Sequence, residues 1–123
     1  MSKTIYVSTD VTKREQVESL VETAERTLGP VDILVNVAGC MYFTLMKNVV
    51  WDQWEQQVDV NAKGTMYGIG TVIPKILQHG KGHILNITSE AGRKAFARLG
   101  IYSGSNFFRR SCQSSLMTGN CIY

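Results

Sequence analysis

The sequence lacks several features that would point to particular classes of protein. Its 123 residues include only two prolines, two histidines and three cysteines, and its net charge is only +3 at neutral pH. So mild a charge gives no argument for a nucleic-acid or membrane-surface partner. An odd number of cysteines without metal-ligand spacing favours free thiols over a zinc site, and we expect no metal centre.

Long apolar runs are also missing. The longest uncharged run, residues 33–46, is shorter than the roughly 18–20 apolar residues that span a bilayer, and it contains polar Asn36 and Thr44. The first residues, 1–4, show no apolar segment of a secretory signal. We therefore expect no membrane segment and a cytoplasmic location.

The hydrophobic pattern alternates between strand-like and helix-like segments. Composition, with 44% hydrophobic and 19% charged residues, suits one globular domain. Alternating strands and helices predict an α/β fold with a parallel sheet. We predict strands at residues 5–9, 31–38 and 83–88, helices at residues 12–28 and 51–78, and the start of a third helix near residue 102.

Local signals refine these elements. Thr12 with Glu15 three residues later predicts a capping box at the start of the first helix. Pro74 is expected to kink the second helix or to loosen its last turns. The near-continuous apolar character of residues 31–38 predicts a strand that is covered on both faces.

The most informative pattern is a serine, Ser89, followed thirteen residues later by Tyr102 and four residues after that by Asn106. A serine, a tyrosine and then a lysine at these intervals form the active-site spacing of the short-chain dehydrogenase/reductase superfamily. The sequence resembles that family from about Ile5 to Phe108. Asn106 stands where the family has its lysine.

The chemistry explains why the lysine matters. A tyrosine phenol has an ordinary pKa of about 10 and is a poor base at neutral pH. A nearby ammonium group favours the ionised phenol by typically about 1–3 pKa units, and asparagine carries no charge that could do so.

The resemblance implies a partial doubly wound, Rossmann-type sheet of three strands with two main helices and the start of a third. Residues 1–108 would form this incomplete domain, and residues 109–123 would be an irregular tail outside the family pattern. The family's turn with the sense of Gly-x-x-x-Gly-x-Gly, which lets a pyrophosphate approach a helix N-terminus, is absent.

The resemblance also implies the site and its chemistry. The activity would be hydride transfer between NAD or NADP and a small alcohol or carbonyl substrate. Tyr102 would be the acid/base, Ser89 would orient the substrate oxygen, and the backbone carbonyl of Asn61 would hold a water of the proton relay. The cofactor side would be formed by Asp10, Val11, Asn36, Ala38 and Gly39.

Two hypotheses therefore stay open. The chain is either an oxidoreductase of this family, impaired by the missing lysine and turn, or a catalytically inactive chain that at most associates with a full-length relative. Family members commonly assemble through the helix equivalent to residues 51–79, so homo- or hetero-oligomers are expected there.

Overall fold

The computed structural model describes residues 2–118, which form an α/β fold, as predicted. No helix in this range is long and apolar enough to cross a membrane. In chain order the elements are helix α1 (Arg14–Leu28), strand β1 (Ile33–Asn36), a 3-10 turn (Met46–Asn48), helix α2 (Trp51–Gln57), a π-helical segment (Val58–Lys63), helix α3 (Gly64–His79), strand β2 (His83–Asn86), a second 3-10 turn (Glu90–Gly92) and helix α4 (Gly100–Thr118).

The sheet has two strands within the described residues, not the three that were expected. β1 and β2 are parallel, with Ile33 opposite His83 and Asn36 opposite Asn86. Residues 5–9 are irregular. Strand-like side chains do not make a strand without a neighbour to pair with, and residues 5–9 pair with none in the described chain.

The predicted capping box before α1 is also wrong. The helix starts at Arg14, and its N-terminus has no side-chain cap. The Thr12 hydroxyl instead donates to the Asp10 carboxylate over 2.7 Å, and the Thr12 backbone N–H donates to the same oxygen over 3.0 Å. The local Asp10–Thr12 turn therefore uses the hydroxyl that was expected to cap the helix. The helix ends as predicted at Gly29, whose positive φ of 97° suits glycine.

One face of the sheet packs on helices. Val21 of α1 and Val72 and Ile76 of α3 form the buried apolar cluster, and Leu34 and Ile84 of the two strands pack against it. An ion pair between Lys75 Nζ and a Glu25 carboxylate oxygen, 2.6 Å apart, also joins α3 to α1.

The other face of the sheet is open, so the expectation of a strand covered on both faces holds for one face only. The alternate residues of β1 and β2 and of the segments after them point to this face. Their exposed fractions are 58% for Ile33, 46% for Val35, 61% for Val37, 50% for Leu85 and 50% for Ile87.

The predicted long helix is present but has three parts. α2 and α3 are joined by the π-helical segment, a rare conformation that often marks functional sites. α3 continues through Pro74 to His79, so its last turns are not lost, and it ends at Gly80 with a left-handed φ of 78°.

The tail after residue 108 is not irregular where the structure describes it. α4 runs without a break from Gly100 to Thr118. Residues 119–123 lie outside the described residues. The sequence after Phe108 did not predict this helix because the side that faces the sheet is polar, so the apolar spacing of an amphipathic helix is missing.

Two glycines of α3 give a matched test of this packing. A methyl group at Gly68 would come within 2.5 Å of Asn36 Oδ1, whereas one at Gly70 would meet nothing within 4 Å. We expect Gly68→Ala to lower the free energy of unfolding by about 1–3 kcal/mol because it overpacks the interface. Gly70→Ala should raise it by up to about 1 kcal/mol, since alanine favours helix. Urea unfolding of both variants measures this, and equal effects would contradict the packing of α3 on β1.

Candidate active site

A second, polar interior lies between the π-helical segment and α4. In the described chain seven polar side chains are buried, compared with five apolar ones. They are Gln57, Asn61, Thr65, Ser103, Ser105, Asn106 and Arg109. Buried polar groups are normally hydrogen-bonded, and the bonds described below join most of these residues, although Ser103 Oγ has no partner in the described chain.

Asn61 fixes the loop that follows β1. Its side-chain amide is 1% exposed and binds both backbone groups of Cys40: Oδ1 accepts from the N–H and Nδ2 donates to the carbonyl, each over 2.8 Å. Nδ2 also donates to Ser105 Oγ over 3.0 Å. One side chain thus joins the loop, the π-helical segment and α4.

Arg109 is the central group of this interior and is 4% exposed. Nε donates to the Asn61 carbonyl over 2.8 Å and to Thr65 Oγ1 over 2.9 Å. Nη1 donates to the Ile87 carbonyl over 2.9 Å, and Nη2 donates to the Ala38 carbonyl. Burial lowers the pKa of Arg109, although its guanidinium stays charged.

The Asn61 carbonyl is therefore already occupied. It accepts from Thr65 Oγ1 over 2.9 Å as well as from Arg109 Nε. A carbonyl oxygen has two lone pairs, and both are used. The relay water that the family resemblance assigns to this oxygen has no free lone pair in this arrangement.

Tyr102 faces a cavity of about 240 Å³ at the carboxyl ends of β1 and β2. The residues that line it include Gly39, Asn61, Thr88, Tyr102, Asn106 and Arg109. Among the described residues the Tyr102 hydroxyl has no hydrogen-bond partner. The side-chain hydrogen bonds to this residue, from Ser105 and Asn106, are both accepted by its backbone carbonyl.

Asn106 does not supply what a lysine would supply. Its Nδ2 donates to the Tyr102 carbonyl over 3.0 Å, within α4, and the side chain is buried. The amide is therefore turned onto the backbone of its own helix, and it carries no charge into the cavity.

Ser89 lies beside the cavity rather than in its lining, where Thr88 takes its place. The Ser89 hydroxyl oxygen accepts from the Ala91 N–H over 3.2 Å and so caps the second 3-10 turn. A hydroxyl that accepts one hydrogen bond can still donate its proton.

The residues expected on the cofactor side are not gathered at one place. Gly39 lines the cavity. The Asn36 amide, in contrast, donates to Asn86 Oδ1 over 2.8 Å and lies against Gly68 of α3, and the Ala38 carbonyl accepts from Arg109. Asn36 therefore acts here between the strands and α3.

Asp10 and Val11 belong to a different surface. Asp10 lines an acidic cleft with Asp52, Glu55 and Asp59. Hydrogen bonds from Thr12 lower the pKa of Asp10, so this carboxylate is charged at neutral pH. The Val11 side chain packs on Gly64, where an added methyl group would come within 2.9 Å of it.

Two of these positions offer groups that suit parts of a dinucleotide. Carboxylate oxygens at Asp10 can accept from an adenine amine or a ribose hydroxyl, and Gly39 lines the same cavity as Tyr102. Four carboxylates around the Asp10 cleft repel a pyrophosphate, which needs N–H donors at a helix N-terminus after a strand. Within residues 2–118, no group of three or more His, Cys, Asp or Glu could hold a metal ion.

Sequence reasoning missed Arg109 and Gln113 because it treated the tail as irregular. Gln113 Oε1 accepts from the Asn86 N–H and its Nε2 donates to the Ile84 carbonyl, each over 3.1 Å. The available signal was spacing: Tyr102, Asn106, Arg109 and Gln113 follow one another at intervals of three or four residues, which places them on one helix face.

Comparisons with known proteins agree on one family. A family model described as short chain dehydrogenase matches residues 1–118. A glycine betaine reductase of Emericella nidulans is 54% identical over 106 residues, which are 86% of this chain and 8% of that protein.

Two solved structures extend the likeness to the fold. A short chain dehydrogenase/reductase from Burkholderia phymatum in complex with NAD gives a TM-score of 0.88 at 30% identity over 91% of this chain and 40% of that one. The closed form of a serine dehydrogenase complexed with NADP+ gives 0.85 at 30% identity over 91% and 46%. This chain spans less than half the length of each of these three proteins.

The geometry predicts a stabilising role for Asn61. Asn61→Ala removes the partners of both Cys40 backbone groups, and we expect it to lower the free energy of unfolding by about 1–3 kcal/mol. Asn48→Ala, at an exposed amide with no side-chain bond in the described chain, should change it by less than about 0.5 kcal/mol. Urea unfolding compares the two variants, and a cost at Asn61 no larger than at Asn48 would contradict this role.

Proposed function

We propose a function on one premise: this chain belongs to the short-chain dehydrogenase family. We propose that the chain takes part in the transfer of a hydride between a nicotinamide cofactor and a small alcohol or carbonyl compound. The described residues would form the side of the site that handles the substrate oxygen and its proton. The observation that carries this proposal is the cavity that Tyr102 and Asn61 share at the carboxyl ends of two parallel strands, where ligands bind in such sheets.

In this proposal Tyr102 gives a proton to the carbonyl oxygen during reduction and takes one from the hydroxyl during oxidation. Its hydroxyl lacks a partner among the described residues, which leaves it free to bind a substrate oxygen. A positioned acid/base of this kind typically contributes about 10²- to 10⁴-fold to a rate.

Ser89 and Asn61 would support that step in different ways. The Ser89 hydroxyl, held by the Ala91 N–H, has its own proton left to donate to the substrate oxygen. Asn61 would act through the loop: by holding Cys40 it would fix part of the wall of the cavity that Tyr102 also lines.

NAD or NADP is the proposed cofactor, as in the two structural neighbours that contain one. When bound, it would supply or accept the hydride. Asp10 and Val11 would hold its adenine end, and Asn36, Ala38 and Gly39 would lie on its nicotinamide side. Asn36 would have to release Asn86 to do so with its amide.

The alternative is a catalytically inactive chain that associates with a full-length relative. Two observations favour it. The Asn106 amide is bound to the helix backbone and brings no charge to Tyr102. In addition, the open face of the sheet and the helices over residues 51–79 offer apolar surface that a second subunit could cover, and patches of several hundred Å² usually bind something.

Dinucleotide binding separates the two candidates. We expect no saturable change in nicotinamide fluorescence when NADPH or NADH is added to this chain, because no described residue is placed to bind the pyrophosphate. Joining a family strand–turn–helix–strand unit with its Gly-rich turn to the N-terminus should restore saturable binding. The same fusion with valines in place of the turn glycines is the matched control. Saturable binding by the chain alone would count against the inactive alternative.

Substitution of Asn106 tests the proton step. Asn106→Lys should give no turnover in the chain alone, since positioning the two reactants is worth about 7–11 kcal/mol of the barrier. In the fusion it should raise turnover with a simple ketone by about 10²- to 10⁴-fold, and Tyr102→Phe should abolish that turnover. The assay follows NADPH oxidation. If the Asn106→Lys chain oxidises NADPH without the added unit, the missing lysine limits the activity more than the missing pyrophosphate-binding turn does.

A further inference from the structure

The positive charge of Arg109 is buried without a counter-charge. All four of its partners are neutral oxygens: three backbone carbonyls and the Thr65 hydroxyl. None of the ion pairs in the described chain includes Arg109. A buried ion is costly unless it is paired, so this interior has an unmet requirement for an anion.

The Arg109 guanidinium also has N–H groups that make no hydrogen bond in the described chain. It has five N–H bonds, and the hydrogen bonds above use Nε–H and one N–H each of Nη1 and Nη2. One N–H on each terminal nitrogen therefore has no partner within residues 2–118. Each such N–H can donate a charge-assisted hydrogen bond to a carboxylate oxygen.

Space for an anion exists next to these nitrogens. A methyl group at Gly39 would lie 3.2 Å from Asn61 Oδ1, 3.4 Å from Nη1 and 3.7 Å from Nη2, so the missing side chain leaves the guanidinium uncovered on this side, next to the Asn61 amide oxygen. The cavity there has a volume of about 240 Å³. Pockets for drug-sized ligands are about 300–1,000 Å³, so this one suits a compound of few heavy atoms.

We propose that Arg109 makes this cavity a carboxylate site, so that the substrate is a small oxo acid or hydroxy acid held by Arg109 with its carbonyl or hydroxyl oxygen toward Tyr102. The substrate assignment rests on the proposed function, whereas the carboxylate site does not. Two titratable groups besides Arg109 line the cavity, the Tyr102 phenol and the Cys40 thiol, and both interact with the charge of Arg109. Burial raises the pKa of the Cys40 thiol, so it stays neutral and does not compete for the guanidinium.

Pyruvate and methyl pyruvate test the site, because they differ in the negative charge and both carry the ketone. The intact ¹⁵N-labelled chain is titrated with each, and the Cys40 amide and Arg109 Nε–H signals are followed by NMR. We expect saturable shifts with pyruvate and at least about tenfold weaker binding of the ester, the loss expected for a charged hydrogen-bonded pair. Equal binding of the two, or binding of neither, would overturn the proposal.

Matched variants locate the charge that is responsible. Arg109→Gln should abolish the preference for pyruvate, and Arg110→Gln, at the exposed neighbouring arginine, should leave it unchanged. If Arg109→Gln does not fold, Gly39→Ala gives a second measurement, since it fills the space beside the guanidinium and retains the charge. Unaltered pyruvate binding in Gly39→Ala would overturn the proposal.

The same titration distinguishes this proposal from the function on which it builds, since it contains no cofactor. Pyruvate binding without any turnover in the fusion that carries Asn106→Lys would reject the dehydrogenase function and leave the carboxylate site standing. Turnover of acetone by a fusion that does not bind pyruvate would do the reverse.

Discussion

The hydrogen bonds of one buried guanidinium hold the structure together at the site. Arg109, on α4, reaches the segments just beyond both strands through Ala38 and Ile87, and the junction of the π-helical segment with α3 through Asn61 and Thr65. Hydrogen bonds to a charged group contribute about 1.5–3 kcal/mol each, as much as the burial of a large apolar side chain. Only five apolar side chains are buried in the described residues, so these hydrogen bonds, with those of Gln113 to β2, are a main part of what joins α4 to the sheet.

Elements whose stability is local or apolar could be read from the sequence. The apolar spacing of residues 17–24 gave α1, and the apolar runs around residues 33–36 and 83–86 gave β1 and β2. The strand expected at residues 5–9 failed because pairing is a property of two segments, and the pattern of one segment does not say whether a partner is present. The end of α4 was missed because a helix that buries polar groups leaves no apolar stripe to find.

Two residues of the candidate cavity could be predicted from the sequence, but their contacts could not. Family spacing pointed to Tyr102 and Asn61, and both lie at one cavity. Spacing could not show that the Asn61 carbonyl is taken by Arg109, or that Ser89 caps a turn, since these depend on which donors a distant helix brings. The replacement at Asn106 was visible in the sequence, whereas the direction in which its amide turns was not.

The side-chain amide of Gln113 makes the two edges of the sheet different. The Asn86 N–H and the Ile84 carbonyl face away from β1. Gln113 binds both of these backbone groups, as a neighbouring strand would. At that edge of β2, two backbone groups are therefore bonded to a single side chain. The far edge of β1 meets no strand within residues 2–118. The two edges of the sheet therefore differ: the outer edge of β2 is bonded to a side chain of α4, whereas the far edge of β1 has no strand beside it in the described residues.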